Sequence, residues 1–231
     1  MPQQEAKEEA VRSAMAKLAS VDMGPRLAAL GLSAPVTVTK GLHPAGGGAI
    51  LDGGLSAMES LGCRGAADTV RLRAFGQDVA LNLADFAMTN VKTGKPAGMT
   101  DRILILHYLL CDVPVPVGTE MITYRDFTGG QFYLQPFLSR TAKPLTAKIG
   151  NDLEKLKKNL GRFDWQPVPV PPGDFSARVH ALGNLHVTLV YTLGDEEFPA
   201  SCEVLFDAAT KRVYGAEDAA VLASRICIGL L

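Results

Sequence analysis

Two runs near the C-terminal end constrain the fold of this chain more than any other feature. Leu185 to Leu193 and Ser201 to Phe206 both read as β-strands, and only Gly194-Asp195-Glu196-Glu197-Phe198-Pro199-Ala200 separates them. Strand-like runs joined by so short and polar a connection predict a β-hairpin. The connection carries three consecutive carboxylates followed at once by Phe-Pro, and Val204-Leu205-Phe206-Asp207 lies just behind it.

A second hairpin is written upstream. Thr69 to Phe75 alternates apolar and polar residues, Gly76-Gln77-Asp78 turns the chain, and Val79-Ala80-Leu81-Asn82-Leu83 returns. The alternation predicts strands over 69–75 and 78–84, with Arg71 and Arg73 on the face away from the core. Between the hairpins, Thr100-Asp101 offers a helix N-cap to RILILHYLLCD. That apolar run is nearly continuous, so periodicity does not separate a helix from a buried strand, but its length and leucine content favour a helix packed on most sides. His107 and Tyr108 sit in its middle. PLTAKIGNDLEKLKKNLG is amphipathic, with Leu145, Ile149, Leu153, Leu156 and Leu160 on one face. Pro144 suits its first turn and Gly161 its end, while Gly150-Asn151-Asp152 offers a split into two helices. A last helix is expected over 216–229, with Glu217 and Asp218 in the first turn, where carboxylates complement the helix dipole.

The remaining segments read as follows. Residues 5–19 predict a helix that Gly24-Pro25 breaks, followed by a short helix from Arg26 to Leu30 that stops at Gly31. Residues 41–54, with Gly46, Gly47, Gly48 and His43, read as a connector, and Leu55 to Leu61 as a short helix. Met121 to Tyr124 reads as a short strand, and Gln131 to Leu138 as a helical stretch that Pro136 would interrupt. Gln166 to Gly173 (QPVPVPPG) predicts a polyproline-like linker, because alternating prolines do not sit in a central strand. The expected fold class is α+β. A mainly antiparallel sheet built from the 69–75/78–84 and 185–193/201–206 hairpins is packed by helices near 101–111, 144–160 and 216–229. Residues 61–231 form this single domain and residues 1–60 a helical and loop extension.

With 231 residues, 47% of them hydrophobic, the chain is long and apolar enough to bury a sizeable core. A formal net charge of −1 argues against a nucleic-acid binder, which carries a basic excess. No apolar run approaches the roughly 18 residues that a membrane span needs. The polar, acidic start MPQQEAKEEAVR reads as neither a signal nor a transit peptide, so a cytoplasmic location is expected. Cys63, Cys111, Cys202 and Cys227 are far apart and form no C-x-x-C, which predicts structural thiols rather than a disulfide framework.

Several short motifs resemble one family when taken together. The tail GDEEFPASCEVLFDAATKRVYGAEDAAVLA, the upstream ILILHYLL and the helix PLTAKIGNDLEKL occur in the order found in the family catalogued as domain of unknown function 3786. The resemblance spans roughly residues 60–231 and implies no established activity. Some relatives carry an N-terminal iron–sulfur domain, and the family is typical of strict anaerobes. The resemblance therefore implies a tie to redox or cofactor metabolism. This chain has no C-x2-C-x2-C run before residue 60, so any such cluster would sit on a partner protein.

The chemistry-bearing candidates are His107, Tyr108, Asp195, Glu196, Glu197 and Asp207. If the acidic turn is extended, Asp195 and Glu197 share a side and can converge, with Asp207, on a hard cation. The same carboxylates could instead divide general acid and base roles. The ordinary alternative is a solvated turn in which a carboxylate caps backbone amides and Phe-Pro anchors the turn to the core. For His107, the ordinary alternative is a hydrogen-bonded core histidine, and the functional one a pocket-lining group on a rigid helix. His180 and His186 flank Gly183, but no H-x-x-x-H, H-E-x-x-H, G-x-S-x-G or C-x-x-C-H is present. Two functions fit: a noncatalytic accessory module that binds a small-molecule ligand or cofactor, or docks on an iron–sulfur or other redox partner; and an enzyme whose acidic turn faces His107.

Overall fold

The computed structural model describes residues 2–30, 32, 69–118, 120–169 and 173–231. The glycine-rich connector at 41–54 with His43, the helix expected over Leu55 to Leu61, Gly31 and Cys63 lie outside the described residues.

Eight strands form one antiparallel sheet: β1 (Thr69–Ala74), β2 (Gln77–Asn82), β3 (Met88–Asn90), β4 (Met121–Ile122), β5 (Trp165–Pro167), β6 (Phe175–Leu182), β7 (Leu185–Thr192) and β8 (Ser201–Asp207). Their order is β3-β2-β1-β6-β7-β8-β4, with β5 also paired to β6. Both expected hairpins are present. In the first, Thr69↔Asn82 through Ala74↔Gln77 are opposed, and Phe75 and Gly76 take positive φ angles of 51° and 73°. That pair of angles belongs to the tight turn whose twist matches a hairpin, and Phe75 pays local strain for it.

The strand that joins the two hairpins is β6. It pairs with β7 from Phe175↔Tyr191 to Leu182↔Leu185 and touches β1 through Ala74↔Leu182. The expected two-hairpin sheet therefore gains a central member, and the turn Gly183-Asn184 closes a third hairpin. The proline-rich segment also differs from expectation. Trp165–Pro167 is a strand paired to Ala177–Val179, although the sequence predicts linker from Gln166 onward. Val168 N donates to Ser176 O at 3.1 Å, so the ring nitrogen of Pro167, one residue back, faces away from β6 and no ladder bond is lost.

Helices α1 (Pro2–Leu18), α2 (Met23–Ala29), α3 (Met99–Leu110), α4 (Leu134–Arg140), α5 (Ala142–Ile149), α6 (Leu153–Leu160), α7 (Thr210–Val213) and α8 (Ala216–Gly229) complete the fold, with a 3-10 turn at Tyr124–Asp126. The N-cap of α3 is Gly98, so Thr100 and Asp101 fall inside its first turn. There Asp101 accepts from Arg225 of α8 at 2.6 Å, a better use of the carboxylate than capping. Pro136 sits in the first turn of α4, where its missing N–H costs nothing, and the helix runs on unbroken. The amphipathic segment does split in two. Gly150 takes φ 58°, and the Asp152 side chain caps α6 by accepting from Lys155 N at 2.9 Å.

The core lies between the helices and one face of the sheet. Leu104, Ile105 and Leu109 of α3 and Leu222 and Ile226 of α8 are buried, as are Val187, Leu189 and Tyr191 of β7 and Val204 and Phe206 of β8. Each such side chain contributes about 1.5–3 kcal/mol by leaving water. Val11, Ala14 and Leu18 of α1 and Leu27 of α2 are buried in the same cluster. The opposite sheet face carries the alternate residues Arg178, His180, His186, Thr188 and Asp207, and there the polar groups gather.

Candidate functional site

Four polar side chains meet on that second face because the register of β6, β7 and β8 opposes them. His180 is paired with His186, and Asp207 ends the neighbouring strand. The Asp207 side chain is 1% exposed and the Arg178 side chain 16%. A carboxylate so deeply buried must be neutralised, and Arg178 Nη2 does this with bonds of 3.0 and 2.9 Å to Oδ1 and Oδ2. Oδ2 also accepts from the His186 backbone N–H at 3.2 Å and lies 3.1 Å from His186 Nδ1. With Nδ1 as donor to the carboxylate, His186 keeps Nε2 as an acceptor. Arg178 Nη2 reaches Gly118 O at 2.5 Å as well, while Arg178 Nε is buried with no hydrogen-bond partner among the described residues.

His180 completes the group. Its ring centroid is 5.4 Å from that of His186, edge to face. His180 Nε2 is 2.8 Å from Gly183 O, and only a ring N–H can bond a carbonyl, so Nδ1 is left as the acceptor. Burial pushes the His180 pKa down, partly opposed by the bond to Gly183. The site is thus two oriented imidazoles beside a compensated ion pair. It can accept hydrogen bonds or donate lone pairs, but among the described residues no group of three or more His, Cys, Asp or Glu is arranged to hold a metal ion.

The acidic turn lies at the other end of β8 from Asp207. Six residues of strand put Ser201 and Asp207 about 20 Å apart, so Asp195 and Glu197 do not converge with Asp207 on one cation. Asp195 Oδ1 accepts from Glu197 N at 2.9 Å and from Phe198 N at 2.7 Å. These two amides, Phe198's first, hold its carboxyl below the usual range. Asp195, Glu196 and Glu197 are all exposed. Phe198 is not the anchor expected of it, being 67% exposed. The turn is held instead by Asn151, whose side chain accepts from Gly194 N at 2.8 Å and donates to Gly194 O at 2.9 Å.

His107 finds its partner on α8. Its Nδ1 is 2.8 Å from Asp218 Oδ2, and that hydrogen bond raises the His107 pKa against the opposing effect of burial. No hydrogen bond or ion pair joins His107 to the acidic turn among the described residues. Tyr108 is fully buried: its hydroxyl donates to Leu30 O at 2.7 Å and accepts from Asn184 N at 3.2 Å, and burial pushes its pKa up to about 12. It ties α2, α3 and the β6–β7 turn together. Of the six residues singled out by sequence, Asp207 alone meets the histidine pair. Nothing local in the sequence marks Arg178, and Asp218 is marked only as a helix-dipole residue. The Gly183-Asn184 turn between two histidines was the one legible hint of the pair.

The sequence model of the family described as "Domain of unknown function (DUF3786)" matches residues 55–228, well over half of the chain, and the protein belongs to that family. Helices α1 and α2, though packed in the core, precede the matched region. No curated protein matches the chain, and no solved structure does. Among the described residues, no helix is long and apolar enough to cross a membrane.

Proposed function

We propose that this protein is a noncatalytic binding domain, accessory to the chemistry of a partner, that takes a small hydrogen-bond-donating ligand at the His180–His186 face of the sheet. One observation carries this: buried Asp207 bonds Arg178 and His186 Nδ1 together, which orients the imidazole and leaves Nε2 for a ligand. Such a built-in orientation is what a preorganised binding group requires. The setting we propose is cytoplasmic, and the family resemblance adds service to redox or cofactor metabolism in an anaerobe, with an iron–sulfur or other redox protein as partner. Native mass spectrometry of protein purified without oxygen tests the reading. A small molecule is expected to travel with the wild type and to be lost from both His186→Gln and His180→Gln. A molecule retained by both variants, or none bound to the wild type, would sink it.

A second reading is an enzyme that uses His107 for acid–base chemistry. Its support is the Asp218 carboxylate, which raises the histidine's pKa as the partner of a general base does. In that case Asp218, rather than Asp195 or Glu197, is the group that works with His107.

A further inference from the structure

Strand β8 is bonded to β7 along its length, but on its outer side β4 meets only Phe206 and Asp207. Ala208 N donates to Glu120 O at 2.9 Å, so the bonding residues on this side are Ala208 and Phe206. Antiparallel bonding alternates by two, which turns the N–H and C=O groups of Val204 and Cys202 outward as well. Among the described residues no backbone group meets them. A groove runs beside them, walled by α4 and α5. At one end a hollow of about 330 Å3 is lined by Leu134, Leu138 and Val204. At the other, one of about 750 Å3 is lined by Ala142, Phe198 and Cys202, and Cys202 borders both.

We propose that this groove docks an extended segment of another protein, added as a strand antiparallel to β8, with the pattern apolar–basic–apolar. The backbone of Cys202 and Val204 offers the ladder bonds, the usual basis of strand addition. The residues opposite Val204 and Cys202 drop their side chains into the two hollows, where apolar groups fit. The residue between them stands across from Glu203 on the other face. Glu203 is exposed and has no cationic partner among the described residues, and opposed charges across strands attract. Asp195, Glu196 and Glu197 extend the negative charge at the Cys202 end. Arg125 and Lys143 line the helical wall, so further basic side chains are not favoured inside the hollows. A second copy of this chain is the poorer occupant, because two β8 edges paired about their centre would set Glu203 against Glu203. The groove lies across the sheet from the two imidazoles, and the small-ligand proposal does not depend on it.

The probe is a capped, fluorescein-labelled peptide Thr-Leu-Lys-Leu-Thr, followed by anisotropy. The lysine peptide is expected to bind the wild type about tenfold more tightly than its glutamate counterpart, and Glu203→Lys to reverse the order. Hydrogen exchange on the wild type keeps the test independent of the variant: the amides of Cys202 and Val204 become protected when the lysine peptide is added. No binding, equal binding of the two peptides, or protection elsewhere overturns the proposal. So does a dimer, seen by light scattering, that the peptide dissociates, since it would assign the edge to a second copy.

Discussion

At the scale of single residues, the structure turns on a few buried polar atoms whose partners are distant in sequence. Asp207 is the sharpest case. Replacing it with Ala leaves the Arg178 guanidinium buried without its counter-charge, and a loss of about 3–5 kcal/mol is expected in urea unfolding. Tyr108 behaves alike on a smaller scale. Its hydroxyl serves Leu30 O and Asn184 N at once, so Tyr108→Phe deprives one buried and one part-buried backbone group of its partner and should cost about 1–3 kcal/mol by the same measurement. Neither cost was legible beforehand. The sequence marks Asp207 as one more carboxylate near an acidic turn, and Tyr108 as a neighbour of His107, because hydrogen-bond partners 29 and 76 residues away leave no local signature.

At the scale of elements, the helices α3 and α8 are tied at both ends of their contact. Asp101 bonds Arg225 near one end and His107 bonds Asp218 near the other. The His107 pKa is raised above its ordinary 6.5, so the pair's contribution is fully present below pH 6.5 and is lost as pH rises through the raised folded value. His180 has the opposite sign. Its lowered pKa makes burial of the neutral ring stabilising above pH 6.5, and that contribution is lost as pH falls through the folded value. Asp218→Asn should therefore lower stability below pH 6.5 and remove the decline on the alkaline side, leaving the slope on the acid side unchanged. His180→Gln should do the reverse. Denaturant midpoints collected across pH 5–9 would separate the two. The helices themselves could be read locally, α3 from the length and leucine content of its apolar run and α8 from the carboxylates of its first turn. The pairing of His107 with α8 could not, since it depends on how two helices cross.

At the scale of the whole molecule, one core reaches from α1 to α8, with Leu18 of α1 as deeply buried as Leu222 of α8. The family match begins only at residue 55, yet burial on this scale couples α1 to the rest. Unfolding followed by the fluorescence of Trp165, the sole tryptophan, and by helical circular dichroism is expected to give coincident transitions. Leu18→Ala should shift both together by about 2–5 kcal/mol, whereas two separated transitions would show α1 to be an independent appendage. Taken alone, the sequence determined the fold class, both outer hairpins, the C-terminal helix and the split at Gly150-Asn151-Asp152. Those follow from hydrophobic period and turn chemistry, which act over a few residues. Tertiary structure alone decided that Phe175–Leu182 is the central strand, that a proline-bearing segment pairs at its side, and that Arg178, His180, His186 and Asp207 share one face. Strand order and register are chosen by the burial of whole faces against distant elements, and that energy is not written in any one stretch of chain.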